Sequence, residues 1–304
     1  MRTFKAIGLY AIAVVVLGAL FAPWLFWAVQ WMGMHVAPAE FLTQYPFHRI
    51  FNRSVMIVAL AGLWPLLRNL GVRSWSEVGY VRTGGWWKHV LIGFALGLSS
   101  LVIAVGISIV CGARSLDHDR SVGEMTGAVF RYILTGILVA LIEETFFRGG
   151  LQGAFQRGMN VITAIILASA IYSVLHFLKP TGVRIPVQEV NWNSGFMCLA
   201  GSVTRSFAER DVLISLLTLF LAGCVLGLAY AKTRALYLSI GLHAGWVFTN
   251  EFARWLGAGK IIEDVITWPV LALLLVLIGW LCRTKLKPLV VSESSVSGHG
   301  ALST

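Results

Sequence analysis

Residues 134–157 read LTGILVALIEETFFRGGLQGAFQR and residues 160–178 read NVITAIILASAIYSVLHFL. Each run is close to the roughly 20 apolar residues that carry a helix across a bilayer. The Gly158-Met159-Asn160 break between them is tight, so the two predict an antiparallel helical hairpin. Glu143 and His176 stand about equally far from that break, roughly 16 positions or about 25 Å of helical rise. Two ionisable groups are therefore expected to meet at one depth within the hydrocarbon layer.

The rest of the 304-residue chain has the same character. It is 57% hydrophobic and 12% charged, about half the charged share of an ordinary soluble domain, and its mean hydropathy is +0.78. No soluble core hides that much apolar surface. Apolar spans are expected near 6–34, 54–67, 89–112, 126–156, 160–178, 212–231, 234–252 and 265–282. The fold class is thus all-α, a polytopic transmembrane bundle of about eight helices. The span at 54–67 is short and carries Pro65, so a seven-helix count is the alternative. The run after Arg2 and Lys5 is longer than the 7–15 apolar residues of a signal-peptide core and is expected to stay as the first transmembrane helix. Three regions follow: 1–124 with the N-terminal helices and an interfacial segment, 125–255 as a core, and 256–304 with the last helix and a Ser/Gly-rich tail.

The net charge of +10 is read as membrane orientation rather than as a nucleic-acid footprint. The segments expected inside carry about half of the 24 basic residues and only Glu77 and Glu293 of the 14 acidic ones. Both termini are expected to be cytoplasmic, with the flipped topology as the alternative. Residues 68–88 mix Arg, Lys and Trp, as suits an interfacial connector, and 179–211 form the longest connection, with semi-apolar patches that could dip into the membrane. Cys111, Cys198, Cys224 and Cys282 show no metal-ligand spacing and are assigned no role.

Ionisable groups inside a bilayer are costly and mark function by default. Only His176 and His243 among the histidines, and Glu143 and Glu144 among the acids, lie well within apolar spans. Glu144 and Arg148, at i, i+4, predict a structural ion pair. Glu143, turned about 100° from its neighbour on a helix, is left for chemistry; the alternative is one buried polar lock of both glutamates and Arg148. His243 lies in YLSIGLHAGWVFTNEF (237–252), where Gly241, Ala244 and Gly245 permit close helix approach. Ser239 and Asn250 share its face.

The motifs EETFFR (143–148), YSVLH (172–176) and LHAGWV (242–247) resemble the three motifs EExxxR, FxxxH and HxxxN or HxxxD of the CAAX-protease and bacteriocin-processing (Abi) intramembrane proteases. The resemblance covers roughly 125–255. It implies that Glu143 activates water, with His176 and His243 as partners and Glu144, Arg148, Tyr172 and Asn250 in support. Tyr172 replaces the Phe, and Val247 stands where the family has Asn or Asp. Glutamate and two histidines supply a base for water and donors for the developing oxyanion. No cofactor is expected. The same three residues, Glu143, His176 and His243, also meet the ligand count of a catalytic zinc site, so zinc stays open, although no HExxH helix is present. The expected partners are membrane lipid and a membrane-associated protein or peptide substrate, and the expected location is the bacterial cytoplasmic membrane. The alternative functions are a catalytically degenerate membrane scaffold or immunity protein and, with less support, a transporter.

Overall fold

The structure, a computed structural model, describes residues 2–81, 84–116, 119–177, 185–208, 212–258, 267–284 and 286. Every regular element among these residues is helical. The helices are α1 (Arg2–His35), α2 (Phe47–Asn69), α3 (Trp75–Val78), α4 (Trp86–Val110), α5 (Val122–Glu144), α6 (Gly153–Gln156), α7 (Val161–Phe177), α8 (Ser194–Ala208), α9 (Val212–Thr233), α10 (Tyr237–Trp255) and α11 (Thr267–Thr284). A 3₁₀ turn at Ala37–Gln44 follows α1, and a π-helical segment, Thr145–Gln152, joins α5 to α6.

Among the described residues, six helical stretches are long and apolar enough to cross a membrane: Lys5–His35, Phe47–Asn69, Trp86–Val110, Val122–Gln156, Leu213–Thr233 and Thr267–Thr284. The protein is thus a polytopic helical bundle, while the count of eight is not reached on these criteria. The two other expected spans are both helices. The first, Val161–His176, falls short of the 18-residue window, and α10 is diluted by His243, Asn250, Glu251 and Arg254. The span expected at 54–67 begins earlier, at Phe47. Its first turns, FHRIFNR, are polar enough to mask a helix of 23 residues. The connection 179–211 contains a 15-residue helix, α8, while residues 178–184 and 209–211 lie outside the described ones.

The chain forms two compact units, residues 1–73 with 170–220 and residues 74–169 with 221–304. In the first, α1, α2 and α8 pack around Phe26, Phe47, Phe51, Val190 and Cys198. Gly195 on α8 lies against the Ala19 carbonyl of α1 with no room for a Cβ, and Ser54 Oγ donates to the Gly18 carbonyl at 2.8 Å. Close backbone approach of this kind is how membrane helices associate where lipid is as apolar as leucine.

The second unit is built on the same device used twice over. Gly93 and Gly97 of α4 face Gly241 and Gly245 of α10, and a Cβ on any of the four would meet backbone of the other helix. At Gly245 that neighbour is the Phe94 carbonyl oxygen, 2.5 Å away. Gly136 lets α5 approach α10 as closely, with the Ala244 carbonyl 2.7 Å from its Cβ position. α5 itself starts at a capping box, Ser121 and Glu124 exchanging side-chain and backbone hydrogen bonds. Leu101, Leu226, Leu238, Leu242, Trp246 and Leu271 fill the core, and Trp246 Nε1 donates to Ser100 Oγ at 3.0 Å. α10 is thereby held at fixed depth and rotation between α4 and α5.

Replacing Gly241 with Ala is expected to destabilise the protein by about 2 kcal/mol or more through overpacking against Val90. Gly106→Ala on α4, where a Cβ meets nothing within 4 Å, should be neutral or slightly stabilising. Thermal unfolding of the two variants in one detergent checks the contrast.

Candidate active site

α5 ends at Glu144, and the next eight residues, Thr145–Gln152, run as a π-helix. Such wide turns are rare and concentrate at functional sites. The segment begins immediately after the paired acids, so the register of Arg148 and Gln152 relative to Glu144 is set by the wider turn.

Glu144 is fully buried. Its Oε1 accepts from His243 Nδ1 at 2.8 Å and from Arg148 Nη1 at 3.2 Å. Arg148 is 1% exposed, and its Nη2 donates to the Gly223 carbonyl at 3.1 Å. One turn on, Gln152 Nε2 donates to the Gly227 carbonyl at 2.9 Å. The ion pair predicted from the i, i+4 spacing is present, and it is tied at both ends, to α10 through His243 and to α9 through Gly223.

Both α9 positions are tight, and Gly223 has no room for a side chain. A Cβ at Gly227 would lie 2.8 Å from Gln152 Oε1, and one at Gly223 would lie 2.8 Å from Ser169 Cβ.

A carboxylate only accepts, so the hydrogen on His243 Nδ1 points to Glu144, and Nε2 is the nitrogen turned to the other acid. Glu143 Oε2 lies 3.7 Å from His243 Nε2, just beyond a direct hydrogen bond. The two glutamates differ as their helical positions require. The Glu143 side chain is 13% exposed where that of Glu144 is 0%. One acid is locked, and the other keeps an open side next to an oriented imidazole.

The segment between α2 and α4 is lashed to the same region. The Tyr80 hydroxyl pairs with Thr145 Oγ1 at 2.5 Å, directly after Glu144, and Thr145 also donates to the Leu141 carbonyl. Leu236 N donates to the Gly79 carbonyl at 3.0 Å, and Tyr230 and Tyr237 donate to the Val78 and Val81 carbonyls at 3.3 and 3.1 Å. Gly79 has φ +115° and no room for a Cβ against Tyr230 and Leu236, and Gly149 in the π segment packs on Val78. Burial raises the Tyr80 pKa; the hydrogen bond with Thr145 works against this, the nearby Tyr237 and Glu144 add to it, and the net direction is upward. It therefore stays a neutral phenol.

His176 sits near the end of α7, its Nδ1 3.0 Å from the Tyr172 carbonyl and its ring 4.0 Å from the Tyr172 ring. Both belong to the unit of residues 1–73 and 170–220, whereas Glu143, Glu144, Arg148, His243 and Asn250 belong to the other. Asn250 Nδ2 donates to Glu251 Oε1 at 3.3 Å, and Ser239 Oγ to the Leu236 carbonyl at 2.9 Å. Val247 is half-buried. Among the described residues no group of three His, Cys, Asp or Glu side chains is arranged to hold a metal ion.

The sequence did not disclose the Glu144–His243 contact, the Gly223 and Gly227 acceptors or the Tyr80–Thr145 link. The spacing of Gly223 and Gly227 was a readable sign of close helix approach, although not of what approaches.

Residues 125–249 match a family model described as Rce1-like, type II CAAX prenyl endopeptidase Rce1-like. This is the CAAX-protease family that the three motifs resemble, and the matched segment contains all three. No curated protein and no solved structure matches the chain.

Arg148→Met should strand Glu144 as a buried charge and destabilise the fold by about 3–5 kcal/mol, with Glu144→Gln in the same chain recovering part of the loss. Denaturation midpoints of the single and double variants in one detergent give the comparison.

Proposed function

We propose that this protein is an intramembrane endopeptidase of the CAAX-protease type, with Glu143 as the base that activates water. The carrying observation is the pairing of a partly exposed Glu143 with His243 Nε2 at 3.7 Å, while the other imidazole nitrogen is fixed on Glu144. The family match over 125–249 supports the reaction class.

Glu143 takes a proton from water as the oxygen adds to the scissile carbonyl carbon, giving a tetrahedral oxyanion. His243 Nε2, held in orientation by Glu144, faces that reacting group and stabilises the oxyanion as a hydrogen-bond donor in the imidazolium form, whose Nδ1–H stays on Glu144. His176 is assigned to the same task on the strength of its motif. The proton held by Glu143 passes to the leaving nitrogen as the C–N bond breaks, which restores the carboxylate. No metal takes part in this reading.

The substrate class is a membrane-associated protein or peptide, lipidated in the manner of a CAAX protein or a peptide undergoing maturation. The membrane is the bacterial cytoplasmic one with both termini inside, supported by the basic residues Arg157, Lys232, Arg234 and Arg283 at helix ends.

A second reading, a catalytically degenerate scaffold or immunity protein, is favoured by Val247, an apolar side chain where the motif carries Asn or Asp.

Glu143→Gln is expected to abolish processing, by about 10²-fold or more, with an unchanged melting temperature and abundance. Peptide profiles of membranes and medium with wild-type and variant protein supply the assay, and a prenylated CAAX peptide is the first defined substrate. Equal processing by the variant contradicts the catalytic role, and a destabilised variant supports the scaffold reading. Activity should survive zinc chelators; one stoichiometric zinc whose removal stops turnover would replace the metal-free mechanism.

A further inference from the structure

The second unit carries a groove away from the acid pair. The N-terminal part of α7 and the C-terminal halves of α9 and α11 enclose a cleft of about 810 Å³, within the roughly 300–1,000 Å³ range of small-ligand sites. Its walls are apolar, with Ile162, Ile165, Leu228, Leu275 and Val276 among them. Two cations, Lys232 and Arg283, complete the lining.

Their position is systematic. Lys232 lies in the last turn of α9 and Arg283 in the last turn of α11, while Val161 opens α7. The groove therefore has its charge at one end and hydrocarbon along the rest. Trp280, 52% exposed, stands on the same wall, as interfacial tryptophans do at headgroup level. Neither cation has a carboxylate partner among the described residues.

A second feature gives the groove its width. Gly279 is inside α11 and lines the groove, and a Cβ there would meet nothing within 4 Å. A helix-interior glycine is unfavourable, and the described residues around Gly279 do not require one, as they do at Gly223, Gly241 or Gly245; Gly106 on α4 is equally open but does not line this groove. The space it leaves widens the groove on the side where a chain of methylenes would lie.

We propose that this groove seats one acyl chain of an anionic glycerophospholipid, with the lipid phosphate held by Lys232 and Arg283. The argument is charge complementarity. An ordinary boundary lipid needs only the apolar wall, whereas two cations at its mouth, without a carboxylate partner among the described residues, select a negative headgroup. The site is distinct from the Glu143–His243 pair and does not depend on the proposed reaction.

The test uses the full-length protein in mixed micelles with equal amounts of phosphatidylglycerol and phosphatidylcholine, the retained lipid being read by native mass spectrometry. One phosphatidylglycerol should be retained in preference to phosphatidylcholine. The preference should fall roughly fivefold in Lys232→Gln or Arg283→Gln and roughly 25-fold in the double variant. Both side chains are exposed, so these variants keep the fold, which circular dichroism verifies. Gly279→Leu, which fills the groove and leaves both cations, should reduce retention of either lipid. Equal retention of the two lipids, or an unchanged preference in the double variant, overturns the headgroup assignment. Unchanged retention in Gly279→Leu overturns the seat of the acyl chain.

Discussion

The organising interaction is the burial of Glu144. An ionised carboxylate withdrawn from water costs several kcal/mol, which only well-placed partners offset. Here one oxygen receives the Arg148 guanidinium and the His243 imidazole together. Arg148 in turn needs acceptors, and it finds the Gly223 carbonyl on α9. A single charge thus dictates how α5, the π segment, α9 and α10 must meet. The imidazole that completes its coordination is presented to Glu143 as a consequence.

That arrangement is possible only because the backbones come close. Glycines on α4, α5, α9 and α10 remove the side chains that would hold the helices apart, and a carbonyl can then serve as a partner for a side chain on a neighbouring helix. The strap of residues 74–81 adds a further support, through Tyr80 on Thr145 and the Gly79 and Val78 carbonyls. Where burial keeps water from competing, as at Glu144 and Arg148, these polar links specify position as well as adding stability.

Much of this could be read from residue order, for reasons that are themselves physical. Charged groups are so scarce in the apolar runs that Glu143, Glu144, Arg148, His176 and His243 stood out, and helical periodicity paired Glu144 with Arg148 within one segment. What periodicity cannot supply is rotation between segments. Glu144 and His243 are 99 positions apart, and which acid the imidazole meets depends on how α10 is turned against α4 and α5. The π segment has no compositional signature that separates TFFRGGLQ from an α-helix. The early start of α2 was hidden because His48, Arg49 and Arg53 lower the local hydropathy, and α8 was hidden because a short half-apolar helix reads like a loop.

The functional reading follows from a division of labour between adjacent acids. Glu144 is spent on structure, and Glu143, on the more open side, is the acid to which the proposed reading assigns the chemistry. The claim at its centre is that Glu144 fixes His243 through Nδ1 and leaves Nε2 for chemistry. Nitrogen-15 spectra of histidine-labelled protein test this directly, with His243 assigned by its substitution. The account predicts a proton on Nδ1 in a carboxylate hydrogen bond that is lost in Glu144→Gln; a His243 protonated on Nε2 alone, with Nδ1 bare and indifferent to Glu144, would contradict it.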